Sequence, residues 1–242
     1  ANLLFVFILF SAYSHAQPEL WGVNQAGGDD FGTIYKMDGS GNNRQMMSTF
    51  SPNFPGHTPI YDHLCAASNG KYYGLTNMGG TNGHGVLFEY DITTNAYSRK
   101  FDFGTTNGTY PGGSLIQASN GKLYGMTSQG GTNNWGVIFE YDFNTSTFTK
   151  KTEFTATTGT SPPGTFVEAS NGKLYGMTPT GGVNSYGTIF EYDPGTNTWT
   201  AKTQSPDAIV QMAAAASGGK IYALGGLNSG QGSSAVFEYN SA

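Results

Sequence analysis

The chain is poor in the residues that most enzyme chemistry relies on. Its 242 residues include one cysteine and four histidines, and charged residues make up 11% of the total. Cys65 has no second thiol to pair with, so no internal disulfide forms and a buried structural thiol is its expected role. Lys and Arg number 11 against 16 Asp and Glu, for a net charge of -5 with no basic stripe. That lacks the electrostatic footprint of nucleic-acid binding, and no nucleic-acid partner is expected. Strong helix formers are scarce, which disfavours a helical fold. Long apolar runs are lacking too: Leu3-Leu-Phe-Val-Phe-Ile-Leu-Phe10 is eight residues, too short to span a bilayer. Small residues follow it at Ser14-His15-Ala16, so residues 1–16 read as a secretory signal peptide, with no transmembrane segment expected in the mature chain. That predicts a protein that is secreted or held at the cell surface. No initiator Met or basic leader precedes Ala1, so the start reads as clipped, and no Cys follows the expected cut to carry a lipid.

What is abundant is glycine, 36 residues, together with Thr, Asn, Ser and an aromatic share of 14%. These favour strands joined by turns. The order of these residues repeats. Asn120-Gly-Lys-Leu-Tyr-Gly-Met-Thr127 returns at 171–178, and a close variant stands at 69–76. Gly70, Gly121 and Gly172 are each 51 residues apart. A degraded copy lies at 218–224, and Leu20-Trp21-Gly22 is a partial one. Self-similarity at this period marks a solenoid or a propeller.

Residues 113–154 make the clearest unit. Ser114–Ser119 reads as a first strand, Asn120-Gly121 as a two-residue hairpin turn and Leu123–Thr127 as the second strand. The glycine-rich loop Gln129–Gly136 leads to a third strand, Val137–Tyr141, which Asp142–Ser146 turns into an alternating fourth, Thr147–Phe154. Four antiparallel strands in about 50 residues make one propeller blade. The expected first strands, 64–68, 115–119, 166–170 and 212–217, all close on small residues, which places them innermost. The Lys-rich fourth strand is then outermost, where lysine discourages pairing with other chains. The expectation is an all-β β-propeller over 17–242, built of four-stranded blades of about 51 residues. About four and a half blades are present, so the chain reads as a fragment that is incomplete at its C-terminal end.

The run Gly-Lys-Leu-Tyr-Gly-Met-Thr-x-x-Gly-Gly-x-x-x-x-Gly-x-Ile-Phe-Glu-Tyr-Asp resembles the tandem GloVer (Gloeo-Verruco) repeat of secreted bacterial proteins. Phe50…Gly56-His-Thr-Pro59 and Phe103…Gly108-Thr-Tyr-Pro111 resemble that repeat's Phe…Gly…Pro connector. Lys220-Ile-Tyr-Ala-Leu-Gly-Gly226 and Tyr192-Asp-Pro-Gly-Thr-Asn-Thr-Trp199 are similar to kelch repeats. The resemblance covers 20–240 and implies a secreted β-propeller. The kelch likeness implies binding through loops, and neither implies a reaction.

Antiparallel order puts the loops between strands two and three, and from strand four to the next strand one, at the same end of the sheets. These long loops are the expected functional face. Within the double-glycine loop one position is an aromatic or His in each copy: Phe31, His84, Trp135 and Tyr186. Beside them stand Asp29, Asp30, Asn82, Asn133, Asn134, Asn184 and Ser185. Two readings stay open. The rings and amides recognise a sugar by stacking and hydrogen bonding, or the rings pack on the next blade while the polar residues serve the turn.

The triplets Glu89-Tyr-Asp91, Glu140-Tyr-Asp142 and Glu191-Tyr-Asp193 invite a paired-carboxylate reading. Alternation along a strand is expected to point each Glu and its Asp to opposite faces, so no catalytic residue is assigned. His57, His63 and His84 fall in one repeat without metal-ligand spacing, and Asp29-Asp30 is too thin a shell for calcium. Neither a metal site nor a cofactor is expected. The expected function is a non-catalytic binding or surface-interaction module, with glycans or another surface protein as partner. The alternatives are a carbohydrate-active enzyme and a structural spacer in a larger surface protein.

Overall fold

The computed structural model describes residues 19–25, 32–50, 56, 59, 63–204, 209–210, 213–224, 227–228, 231–232 and 236–240. The expected signal peptide, 1–16, lies outside the described residues. Among the described residues every regular element is a β-strand, and every strand pairing is antiparallel. Among the described residues no helix is long and apolar enough to cross a membrane. The chain divides into two compact units, 1–102 and 103–242.

The first unit holds a three-stranded sheet (Glu19–Asn24, Thr33–Asp38, Gln45–Thr49) and a four-stranded one (Cys65–Ala66, Tyr72–Thr76, Val86–Asp91, Ala96–Asp102). The second unit repeats the pattern. Ile116–Gln117, Leu123–Gln129, Val137–Asp142 and Thr147–Glu153 form one sheet. Val167–Glu168, Leu174–Thr178, Thr188–Asp193 and Thr198–Gln204 form the next, and Ala213–Ser217, Lys220–Leu224 and Val236–Asn240 form the last. Within each sheet the strands lie side by side in chain order, as the sequence predicts. Two features are additional. Thr109–Pro111 in the connector pairs with the far end of Leu123–Gln129, and a small sheet joins Ile209–Val210, Leu227–Asn228 and Gln231–Gly232.

The turns correct the expected boundaries. At 118–122 the Ala118 N–H donates to the Lys122 carbonyl (2.9 Å) and the Gly121 N–H to the Ala118 carbonyl (2.8 Å). This is a three-residue loop closed by Gly121 at φ 84°, not the two-residue turn expected of Asn-Gly. The Asn120 side chain fixes it by accepting the Lys122 N–H at 3.1 Å. Ala118 is therefore spent on the turn, and the first strands shrink to Cys65–Ala66, Ile116–Gln117 and Val167–Glu168. In the last sheet the turn between strands one and two is a two-residue hairpin on Gly218-Gly219, and its first strand keeps five residues.

The third strand of each full repeat is buried on both faces because rings cover it. In the second unit Phe154 meets Phe190 edge-on at 5.3 Å, and Phe190 stacks on Trp199 at 5.3 Å. Phe103, Phe139 and Phe148 form the same trio one sheet earlier, and in the first unit Phe50, Phe88 and Tyr97 do so. Each connector Phe thus belongs to the sheet that follows it. Consecutive sheets meet through a ring pair, Tyr124–Tyr192 and Tyr175–Tyr239, each at 6.0 Å. Trp21–Tyr90 repeats this in the first unit, also at 6.0 Å.

A bulge interrupts the pairing of strands three and four in four sheets. Phe139 pairs with Lys150 while Ile138 pairs with Thr152, which leaves Lys151 as the extra residue. Lys100, Lys202 and Met47 occupy the same place in the other sheets. A bulge re-aims its side chain, and three of these four bulged residues are lysines. They turn toward buried carboxylates instead of serving only as outward-facing edge charges, which corrects the expectation for strand four.

Candidate functional site

Among the described residues, the buried charged side chains are Glu89, Glu140 and Glu191. Glu140 accepts the Lys122 ammonium on Oε1 (2.8 Å) and the Tyr124 hydroxyl on Oε2 (2.6 Å), and the bulged Lys151 approaches Oε2 at 3.4 Å. Glu89 has Lys71, Tyr73 and Lys100, and Glu191 has Lys173, Tyr175 and Lys202, in the same arrangement. Burial pushes the Glu140 carboxyl upward, but the hydrogen bonds from Lys122 and Tyr124 outweigh it and hold the group below its ordinary 4.5. Burial and the Glu191 carboxylate push the Tyr175 hydroxyl up to about 12.

The expectation that Glu and Asp diverge does not hold. They stand two residues apart with Tyr between them, so they share a strand face. Lys71 reaches Asp91 at 3.9 Å as well as Glu89, and Lys122 reaches Asp142 at 4.0 Å. The pair converges on a lysine of its own sheet. A carboxylate held ionised by two ammonium groups and a phenol has no proton to give as a general acid.

The double-glycine loops lie at the other end of the sheets, at 79–85, 130–136 and 181–187. Each is closed by the same hydrogen bond from its last glycine to its first, Gly85 to Gly79, Gly136 to Gly130 and Gly187 to Gly181, all at 3.0 Å. In the loop at 130–136 the Thr132 N–H donates to Glu153 Oε2 at 2.8 Å, and in the loop at 79–85 the Thr81 N–H donates to Asp102 Oδ1 at 2.9 Å. The Gly131 N–H donates to the Thr105 carbonyl (2.8 Å) and the Ser161 N–H to the Trp135 carbonyl (3.0 Å). Loop and connector therefore lie together in the second unit, as strand order predicts.

The candidate residues divide between the two readings. Trp135 is half-buried and packs against the cluster that includes Phe154, Phe166 and Phe190, so its ring serves the core. Asn134 stands at φ 59°, and its Oδ1 accepts the Gly130 N–H at 2.8 Å, so it serves the turn. Asn82, Asn133 and Asn184 are exposed, His84 is half-buried, and Tyr186 is 45% exposed beside Val183 at 88%. Phe31, Asp29, Asp30 and His57 lie outside the described residues. Among the described residues no group of three or more His, Cys, Asp and Glu could hold a metal ion. Replacing Asn134 by alanine is expected to cost about 1 kcal/mol in urea denaturation, since one hydrogen bond and an αL-tolerant residue are both lost.

The fold has a solved counterpart. The chain is similar to the crystal structure of TolB from Acinetobacter baumannii, with a TM-score of 0.53 and 15% identity over 88% of this chain. It spans about half, 49%, of that protein's length. At this identity the likeness concerns the fold alone, an all-β, propeller-like one. No curated protein matches the chain. The sequence profile of the Gloeobacter/Verrucomicrobia repeat matches twice in tandem, over residues 11–149 and 110–242. The repeated Lys–Tyr–Glu clusters and double-glycine loops are thus those of a tandem array, and the chain belongs to the Gloeobacter/Verrucomicrobia repeat family.

Proposed function

We propose that this chain is an exported, non-catalytic interaction module whose sheets close into a propeller with the short first strands around the axis. The double-glycine loops carry its binding face, and carbohydrate is the ligand class. One observation supports this most directly. The carboxylates that recur in each full repeat are locked into the scaffold, whereas Tyr186, Asn184 and Asn133 stand exposed on loops that hydrogen bonds hold rigid. A phenol ring beside amides suits the apolar face and hydroxyls of a sugar. One ring contributes about 1 kcal/mol, so useful affinity needs several loops acting together.

A glycan array probed with the purified protein tests this, followed by titration of any hit. Tyr186→Ala is expected to weaken binding about fivefold with the fold intact. Trp135→Ala is expected to lower stability before it lowers affinity, because its ring packs on the core. Silence across the array turns the reading toward a protein partner. Turnover abolished by a single acidic substitution would make the chain an enzyme, and loop variants without any effect would make it a spacer.

A further inference from the structure

We propose that Asn144 is an N-glycosylation acceptor, presented by the turn between the third and fourth strands of its sheet, and that Ser146 stands in that turn as part of the acceptor signal. Asn144-Thr145-Ser146 has the Asn-x-Ser/Thr form, in which the asparagine amide is modified and the hydroxyl two residues on is recognised. All three residues are exposed. The Asn144 N–H donates to Asp142 Oδ1 at 2.9 Å, which fixes the backbone and leaves the side chain to solvent. Among the described residues neither the Asn144 amide group nor the Ser146 hydroxyl has a hydrogen-bond partner.

The sister turns show that this one departs from its own pattern. Asn43, Asn95 and Asn197 end the others at φ 54°, 54° and 56°, in the left-handed region that asparagine tolerates better than most residues. The Tyr90 hydroxyl donates to Asn95 Oδ1 at 3.1 Å and the Tyr192 hydroxyl to Asn197 Oδ1 at 2.8 Å, so this asparagine also ties the turn to the third strand. Ser146 holds the same place at φ 53° and has no side-chain carbonyl to offer. The asparagine appears two residues earlier instead, where the other two full repeats carry Thr93 and Gly195. A local preference given up without a packing gain is expected at a functional position.

The chain holds a second such triplet, Asn107-Gly108-Thr109, and the fold withdraws it. Thr109 is 3% exposed and lies in the strand Thr109–Pro111, paired with Leu123–Gln129, so its hydroxyl is out of reach of a transferase acting on the folded chain. Transfer to Asn144 joins its Nδ2 to the anomeric carbon of a lipid-linked oligosaccharide. The bond from that carbon to the lipid diphosphate breaks, the diphosphate leaves with the bonding electrons, and one amide proton passes to a base of the transferase. The turn lies at the opposite end of the sheet from the double-glycine loop, so a glycan there leaves the proposed binding face open.

The test incubates the purified, folded protein with a single-subunit oligosaccharyltransferase and its lipid-linked oligosaccharide, followed by peptide mass mapping. One oligosaccharide is expected on the peptide that holds Asn144 and none on the peptide that holds Asn107. Asn144→Gln should lose the modification and Ser146→Thr should keep it. Ser146→Asn removes the signal but restores the asparagine of the sister turns, so it should lose the modification while its urea midpoint rises. In the cell such transfer follows export, and the inference rests on that part of the proposed function. Run in vitro, transfer needs neither export nor a sugar ligand, so its failure is distinct from a failure of that reading. A folded parent protein left unmodified overturns the proposal. So does transfer that survives Ser146→Asn, transfer to Asn107 at the level of Asn144, or a Ser146→Asn midpoint below that of the parent.

Discussion

Replacing Gly125 by alanine is expected to destabilise the second unit by about 3 kcal/mol, the upper end of what overpacking a core costs. Gly125 pairs with Phe139, whose ring lies across it: a Cβ there would stand 2.4 Å from Phe139 Cζ and 3.0 Å from Leu115 Cδ2. The ring has nowhere to withdraw. Phe148 stacks on it at 5.2 Å and Phe103 meets it edge-on at 5.2 Å. Gly74 and Gly176 sit under Phe88 and Phe190 in the same way, each with a Cβ contact of 2.5 Å. The last sheet shows what relaxes the requirement. There Ala223 pairs with Phe237, and Ser205 stands in sequence where Phe50, Phe103 and Phe154 stand before the other sheets. The glycine is lost together with the connector ring. Urea denaturation of Gly125→Ala, Phe139→Leu and the double variant measures the effect, with the double variant more stable than the two costs added together. Gly121→Ala is the control: its Cβ would meet nothing within 4 Å, so only its φ of 84° costs, about 1 kcal/mol.

Much of the fold was legible because the repeat is nearly literal. The copies at 69–76, 120–127 and 171–178 fix strand two, the Val-Ile-Phe-Glu-Tyr type run fixes strand three, and chain-order pairing follows from the short connections. The errors share a physical origin, one residue more or less in a turn or strand. Asn120-Gly121 reads as a two-residue turn, yet Ser119 joins it, because the left-handed Gly121 follows a tight bend. Lys150-Lys151 reads as an edge pair, yet the bulge sends Lys151 to Glu140, and nothing in strand alternation announces a bulge. The signal was available in combination: the Glu of strand three, the Lys before strand two and a Lys in strand four recur together in three repeats. The loops were located by strand order, but not the fate of their rings. Trp135 and Tyr186 hold the same place in sequence, and burial separates them, Trp135 on the core and Tyr186 half in solvent.

Glu140→Gln is expected to cost about 2 kcal/mol near neutral pH. Breaking a buried ion pair costs about 3–5 kcal/mol, and the value is lower here because Lys122 is 37% exposed and retains water. The pH dependence follows from the directions of the shifts. The carboxyls of Glu89, Glu140 and Glu191 are held below their ordinary 4.5 in the fold. Their contribution is therefore fully present above that value, and falls away as pH drops through it toward the depressed folded values. The hydrogen bond to Glu140 holds Lys122 above its ordinary 10.5, so its contribution is present below that value and is lost as pH rises past the raised folded one. Stability should be level between these limits and decline in acid, with Glu140→Gln declining less steeply than the parent. The first repeat supplies a sharper test, since it carries the charges reversed. Lys36 faces Trp21 in the register where Glu140 faces Tyr124, Glu19 bonds Lys36 at 2.9 Å, and the bulge holds Met47 in place of a lysine. Reversing one sign frees the bulge from supplying a cation, which is why these three positions change together. Combining Lys122→Glu, Glu140→Lys and Lys151→Met should then recover most of the stability that Glu140→Lys alone removes. A triple variant no more stable than that single one would show that Tyr124, which Trp21 replaces in the first repeat, is also required for the reversal.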